Sequence, residues 1–390
     1  MKKVGVIFGG VSCEHDVSIV TALQLIENLD RTKYEVYPIY IHSDGEWYVD
    51  DRLLNVKLYA EFDMYKNGLA KGYIAPNRHG IVFQSRFSFL KENFVPLDVV
   101  IPALHGMNGE DGSVQGLLEL ANIPYTSSGI LGASVGMDKI VMKTVFQANG
   151  FPVLPYTYFL RSEWKNHQSE MIQKVENNLA YPMFVKPANL GSSIGIAKVK
   201  NKEELIEAVE VAISFDERVI VEKALEHIKE VNCSALGRAD EVQVSSTEEP
   251  VLWHEFLTFD EKYLAGGKGK LSGTKNTMAS MSRKVPASIT EEQTKEVQTM
   301  TANVFKALNS KGVVRVDFLV DQEDGKVYVN EINTIPGSFA FYLWQHDGLT
   351  YPQLIDCLIE IAEQENREKN QNNYTYESNI VGNFGGGSKS

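Results

Sequence analysis

Arg315, Asp317, Glu331 and Asn333 interrupt two apolar runs in the stretch GVVRVDFLVDQEDGKVYVNEINTIPGS, Gly312 to Ser338. Its Glu-Asp-Gly segment, residues 323–325, is of the kind that closes three-residue hairpins. That loop sets Asp317 opposite Glu331 and Arg315 opposite Asn333, and side-chain alternation puts all four on one face. Two carboxylates on apolar strands repel and resist burial unless a cation neutralises them, and Asp, Glu and Asn supply the oxygen ligands that suit Mg²⁺. Arg315 is a fixed cation for a carboxylate or a developing oxyanion. The same four residues would also serve as an ion-pair network on a solvated sheet face. IPGS, directly after them, brings a backbone N–H close by.

FVKPANLGSSIGIAKV, Phe184 to Val199, is a second chemical stretch. Its apolar ends predict two strands, with Gly-Ser-Ser at the tip of a hairpin too long for a two-residue turn. Gly191 and Gly195 permit close backbone approach, and Ser192 and Ser193 add hydroxyls, which suits a flap folded over phosphates. A polar surface hairpin is the alternative. No G-x-x-x-x-G-K-[ST] loop occurs in the chain. Lys186 lies among apolar neighbours, where an ammonium must meet an anion or reach water. Lys139 opens a predicted helix, and Lys262 stands in a Gly- and Lys-rich stretch, Phe259 to Val285, long enough to act as a lid. The three lysines border one candidate cleft.

The elements that would position these residues read as α/β. KVGVIFGG is a buried strand ending in glycines, followed by Val17, Val20, Leu23 and Ile26 at helical spacing. YEVYPIYIH and VVIPALHG are further strands, and GMNGEDGSVQGLLELA runs from a glycine-rich loop into a helix. Residues 1–125 are therefore expected to form an open, mostly parallel sheet, with Glu14 and His105 on the rim where such sheets bind ligands. Two α+β units, 126–215 and 216–362, and a disordered polar tail, 363–390, complete the expected division. The 390 residues, 43% hydrophobic, suffice for two or three such cores. A net charge of −13 repels nucleic acid and anionic membrane. Three widely spaced cysteines give no disulfide framework or thiolate metal site, and the start makes a poor signal peptide, so the expected compartment is the cytoplasm.

Taken together, IFGGVSCEHDVS, LHGMNGEDGSVQGLLEL, GMDK, VKPANLGSSIG, VEKAL, DEKYL, RVDF and NEINTIPG, in this order from Lys3 to Leu358, resemble the D-alanine–D-alanine ligase family of the ATP-grasp superfamily. The resemblance implies a three-domain fold with ATP clasped between the central and C-terminal domains. It implies that Lys139, Lys186 and Lys262 contact the phosphates under the flap serines Ser192 and Ser193. Glu222 and Leu225 would meet adenine and Glu230 the ribose, while Asp317, Glu331 and Asn333 would bind two Mg²⁺ or Mn²⁺ ions. Glu14 and His105 would hold the first D-alanine. Ser192 and Tyr263 would join Glu14 in a hydrogen-bonded triad that closes the site, and Arg315 with the Gly337 N–H would hold a tetrahedral oxyanion. The family's habit implies a homodimer formed through the N-terminal domain.

Two departures bear on the second substrate. Where the family has a serine for that substrate's carboxylate, SFAFYLWQHDG places Tyr342, with Leu343 after it. The lid is also longer than usual, although Lys262 and Tyr263 keep their places. In this family Phe at the position of Tyr263 accompanies D-lactate, so Tyr points to D-alanine. D-serine as the second substrate is the alternative, and a nucleotide-binding sensor without ligase activity is a third.

Overall fold

The structure is a computed structural model that describes residues 1–376 apart from 77, 86, 87, 240 and 251–282. Lys262, Tyr263 and nearly all of the expected lid lie outside the described residues, as do positions 377–390.

The first unit is built on a sheet ordered Trp47–Val49, Tyr34–Ile41, Lys2–Gly9, Val99–Pro102. Lys2–Gly9 runs parallel to both of its neighbours, and Trp47–Val49 is antiparallel. Val4, Val6, Ile7 and Phe8 are all fully buried, which explains why this strand reads as an apolar run and not as an alternating one. Helix His15–Asn28 leaves the end of that strand and so places Glu14, its N-cap residue, at the sheet's rim. A second, antiparallel sheet of Gly72–Ala75, Gly80–Ser85 and Ser88–Pro96 precedes Val99.

The central sheet is antiparallel, ordered Ala197–Val199, Met183–Pro187, Arg218–Lys223, Tyr156–Leu160. The expected flap is a hairpin: Ala197 pairs with Val185 and Val199 with Met183. Strand Arg218–Lys223 lies inside this sheet, which corrects the cut expected at 215/216. Helix Lys139–Ala148, capped by the Asp138 carboxylate on the N–H groups of Ile140 and Val141, falls within the expected central unit but packs into the next one. Its Met142 and Phe146 pack with Val231, Val304 and Val316 of the C-terminal unit.

That unit carries a sheet ordered Arg283–Lys284, Glu241–Pro250, Ile228–Arg238, Lys311–Asp321, Val327–Asn333. The expected pairs, Arg315 with Asn333 and Asp317 with Glu331, are present, but the turn is not the expected one. Asp321 N–H bonds the Lys326 carbonyl, so the loop has one residue more, Gln322 to Gly325. A bulge at Asn330, between the pairs Phe318–Val329 and Asp317–Glu331, restores the register.

The last described helix, Tyr351–Lys369, returns to the first unit: Leu354, Ile355, Leu358 and Ile359 share a core with Val4, Val6 and Leu25. The disorder expected from residue 363 is corrected over 363–369. There Glu363 pairs with Lys2 at 2.6 Å, Arg238 with Glu365 at 3.1 Å and Glu368 at 2.8 Å, and Lys369 with Glu119 at 2.8 Å. Among the described residues no helix is long and apolar enough to cross a membrane.

Candidate active site

A cavity of about 500 Å³ lies where the three units meet, and the predicted residues that fall in the described part of the chain line it, except Leu343. Leu343 is fully buried, so its side chain is no part of the wall, a correction to the expected pair with Tyr342.

One end is built around Glu14, which is 6% exposed. Ser192 at the flap tip donates its hydroxyl to Glu14, closing the flap on the rim of the first sheet. Ser192 and Ser193 both take left-handed backbone, φ 53° and 60°, which non-glycine residues adopt only where the surroundings enforce it. Gly191 and Gly106 are required on either side of the carboxylate. A Cβ on Gly191 would come within 2.6 Å of Glu14 Oε2, and one on Gly106, at φ +73°, within 2.7 Å. His105, 4% exposed, shares a hydrogen bond with Thr21 Oγ1 at 2.9 Å, and burial lowers its pKa to about 4, so the ring is neutral. Sequence reasoning missed Glu110 beside it. This carboxyl accepts from Gly106 N and Ile335 N, both at 2.9 Å, and joins the loop after the first sheet to the NEINTIPG segment. Burial, and then the Glu14 carboxylate, push its pKa up.

The opposite end gathers cations. Lys186 donates to Glu222 Oε2 at 2.6 Å, while Lys143, which sequence reasoning also missed, lies 3.1 Å from Glu222 Oε1. Burial opposes the charge on Glu222, yet these two lysines hold its pKa at about 2. The only sequence signal for Lys143 is its spacing, four residues after Lys139 on the same helix. Lys139 donates to the Leu190 carbonyl at 2.7 Å and stands 4.0 Å from Glu331 Oε2, so it ties the root of the flap to the carboxylate pair. Leu225 and Glu230 complete this end.

Between the two ends, Arg315 grips both oxygens of Asp317, Nε to Oδ1 and Nη2 to Oδ2 at 2.7 Å each, and Asn333 Nδ2 donates to Oδ2 at 3.0 Å. The bidentate clamp neutralises Asp317 within the protein. Among the described residues no three His, Cys, Asp or Glu side chains gather as a metal cage. Two carboxylates and one amide facing a cavity nevertheless fit Mg²⁺, which is commonly held by one or two carboxylates plus substrate phosphates. Gly337 follows on the same wall, and Ser338, Phe339 and Ala340 after it all take left-handed backbone, φ 48°, 57° and 51°.

Tyr342 does not offer its hydroxyl to the cavity in the way the family's serine would. It donates to Glu248 Oε2 at 2.9 Å, and Arg283 lies 3.7 Å over its ring while pairing with Glu248 Oε1 at 3.0 Å. Burial and then Glu248 raise its pKa, so the hydroxyl stays protonated. Glu248 and Arg283 carried no signal in the sequence. Chemically, the cavity is equipped to neutralise a polyanion at one end and to hold an amino acid at the other, with Arg315 and the Gly337 amide between them.

Two family models match the chain, D-ala D-ala ligase N-terminus over residues 3–128 and D-ala D-ala ligase C-terminus over residues 145–360. A D-alanine–D-alanine ligase of Bacillus cytotoxicus is 41% identical over 377 residues, covering 96% of this chain and 99% of that protein. Among solved structures, the VanG D-Ala:D-Ser ligase from Enterococcus faecalis is 33% identical with a TM-score of 0.75, covering 93% of this chain and 99% of the other. The D-alanine–D-alanine ligase from Bacillus anthracis complexed with ATP is 25% identical with a TM-score of 0.65, covering 95% of this chain and 100% of the other. Matched by both models and by a relative aligned over nearly the whole of each chain, the chain belongs to the D-alanine–D-alanine ligase family.

Proposed function

We propose that this protein joins two D-alanine molecules at the expense of ATP, for peptidoglycan precursor synthesis. The observation that carries the proposal is the convergence in one cavity of the Glu14–Ser192 flap contact, the lysine cluster and the Arg315–Asp317–Glu331–Asn333 face. ATP sits with its adenine against Glu222 and Leu225, its ribose at Glu230 and its phosphates under Ser192 and Ser193, met by Lys139 and Lys186 and by Lys262 from the lid. Asp317, Glu331 and Asn333 would hold two Mg²⁺ or Mn²⁺ ions, which when bound would neutralise phosphate charge.

Glu14 and His105 orient the first D-alanine, Glu14 through its ammonium, so that its carboxylate attacks the γ-phosphorus and ADP leaves. The amine of the second D-alanine then attacks the acyl phosphate carbon. Arg315 and the Gly337 N–H stabilise the tetrahedral oxyanion, and its collapse forms the peptide bond and expels phosphate. Ser192, Tyr263 and Glu14 keep the flap and lid closed, which excludes water that would hydrolyse the acyl phosphate.

The full-length relative bearing the D-alanine–D-alanine ligase name favours D-alanine over the D-serine alternative. The cytoplasm is the site of action on this reading, and a homodimer through the first unit is the assembly. Exposed Leu120 and Leu131, on that unit and the helix after it, support the dimer, and sedimentation would test it. The decisive assay is ADP release from Mg-ATP with and without D-alanine, with mass detection of the dipeptide and D-serine in competition. D-alanine-dependent ADP with D-Ala-D-Ala as the main product is expected. A mixed dipeptide would transfer the proposal to D-serine, and no ADP would refute ligation.

A further inference from the structure

A buried cation that the proposed chemistry does not use lies behind the nucleotide end of the cavity. Lys143 sits on helix Lys139–Ala148 with its side chain 2% exposed and does not line the cavity, whereas Glu222 and Lys186 do. Its ammonium is 3.1 Å from Glu222 Oε1 and donates to the Asn330 carbonyl at 3.0 Å. Asn330 is the bulge residue directly before Glu331. Glu222, itself 2% exposed, is therefore shared between a lysine that reaches the cavity and one that does not.

A carboxylate at that depth cannot lose its compensating charge without a large penalty. If Lys186 were its sole partner, moving that ammonium to a phosphate would strand Glu222. With Lys143 in place the anion stays paired wherever Lys186 points. We propose that Lys143 is a positioning residue, a standing counter-ion that lets Lys186 exchange between Glu222 and the phosphates of a bound nucleotide. Its bond to the Asn330 carbonyl meanwhile anchors the bulge that sets Glu331. The inference rests on the nucleotide reading given above.

The test is calorimetric titration of the full chain with Mg-ATP and, separately, with adenosine, which has no phosphates and does not require Lys186 to move. Lys143→Met should weaken ATP by about tenfold or more, the worth of a charge-assisted hydrogen bond, and adenosine by no more than about threefold. In turnover, KM for ATP should rise while KM for D-alanine stays near wild type. Equal losses for both ligands, or no loss, would overturn the role of Lys143. Thermal melts report folding. Should the single variant fail to fold, Glu222→Gln and the Lys143→Met/Glu222→Gln double variant replace it. No buried charge competes for Lys186 in that background, so the two should share one ATP-to-adenosine affinity ratio, and a tenfold difference between them would overturn the proposal. Wild-type protein that binds no ATP would instead refute the nucleotide reading itself.

Discussion

One methyl group at residue 191 should separate the flap from the first-substrate site. In Gly191→Ala the new Cβ would lie 2.6 Å from Glu14 Oε2 and 3.2 Å from Glu14 Cδ and Oε1, whereas ordinary contact begins near 3.4 Å, so flap and carboxylate must part by about 0.8 Å. Gly191 is outside the left-handed region, so alanine adds no local strain. The cost falls on the charge-assisted hydrogen bond from Ser192 to Glu14, worth about 1.5–3 kcal/mol. At 1.36 kcal/mol per decade the loss in kcat/KM for D-alanine runs from several-fold, for a stretched bond, to about 150-fold, for a broken one. ADP release at saturating Mg-ATP with D-alanine varied measures it. Gly150→Ala is the control, because Gly150 has φ +76° and nothing within 4 Å of its would-be Cβ. It should lose about 1–2 kcal/mol of stability and no activity. A Gly191→Ala enzyme within about twofold of wild-type kcat/KM would refute the dependence of turnover on this contact.

Glu331→Gln should abolish most turnover through lost charge at the proposed metal face, and near-normal activity would remove Glu331 from that face. Arg315→Ala should lower kcat by about 10²–10³, the range for one oxyanion donor, and a change in KM alone would show that it only binds substrate. His105 gives a pH signature: its folded pKa near 4 lies below the unfolded value of 6.5, so folding releases protons between the two. Its contribution is complete above pH 6.5 and is lost as pH falls towards 4, on the order of 3 kcal/mol. Urea melts at pH 7 and pH 5 should show His105→Gln less acid-sensitive than wild type, and equal sensitivity would assign the effect to other groups.

The sequence made the chemistry more legible than the boundaries. Asp317 faces Glu331 as alternation requires, but the predicted register was reached through a three-residue loop, whereas the protein uses one more loop residue and cancels it with the Asn330 bulge. Local turn chemistry cannot report a compensation made eight residues away on the partner strand. The cut at 215/216 failed for a related reason: RVIVEK pairs with Met183–Pro187 across a helix, and strand order is not written in either segment. Glu110, Glu248 and Lys143 were illegible as site residues because their partners, Ile335, Tyr342 and Glu222, come from distant segments. Tyr342 stands out by its departure from the family serine, but its hydroxyl is committed to Glu248, 94 positions away in the chain.

Leu354, Ile355, Leu358 and Ile359 bear on how the protein comes into being. They complete the core around Val4, Val6 and Leu25, so the first 125 residues cannot finish folding when they leave the ribosome. That core waits for a helix made more than 220 residues later, and the final docking step also seals the ion pairs of Lys2 with Glu363 and of Lys33 with Asp356. The unit bearing Glu14 and His105 is thus completed last although it is synthesised first, and a chain stopped before residue 351 would carry every proposed site residue while one of the first unit's cores stayed open.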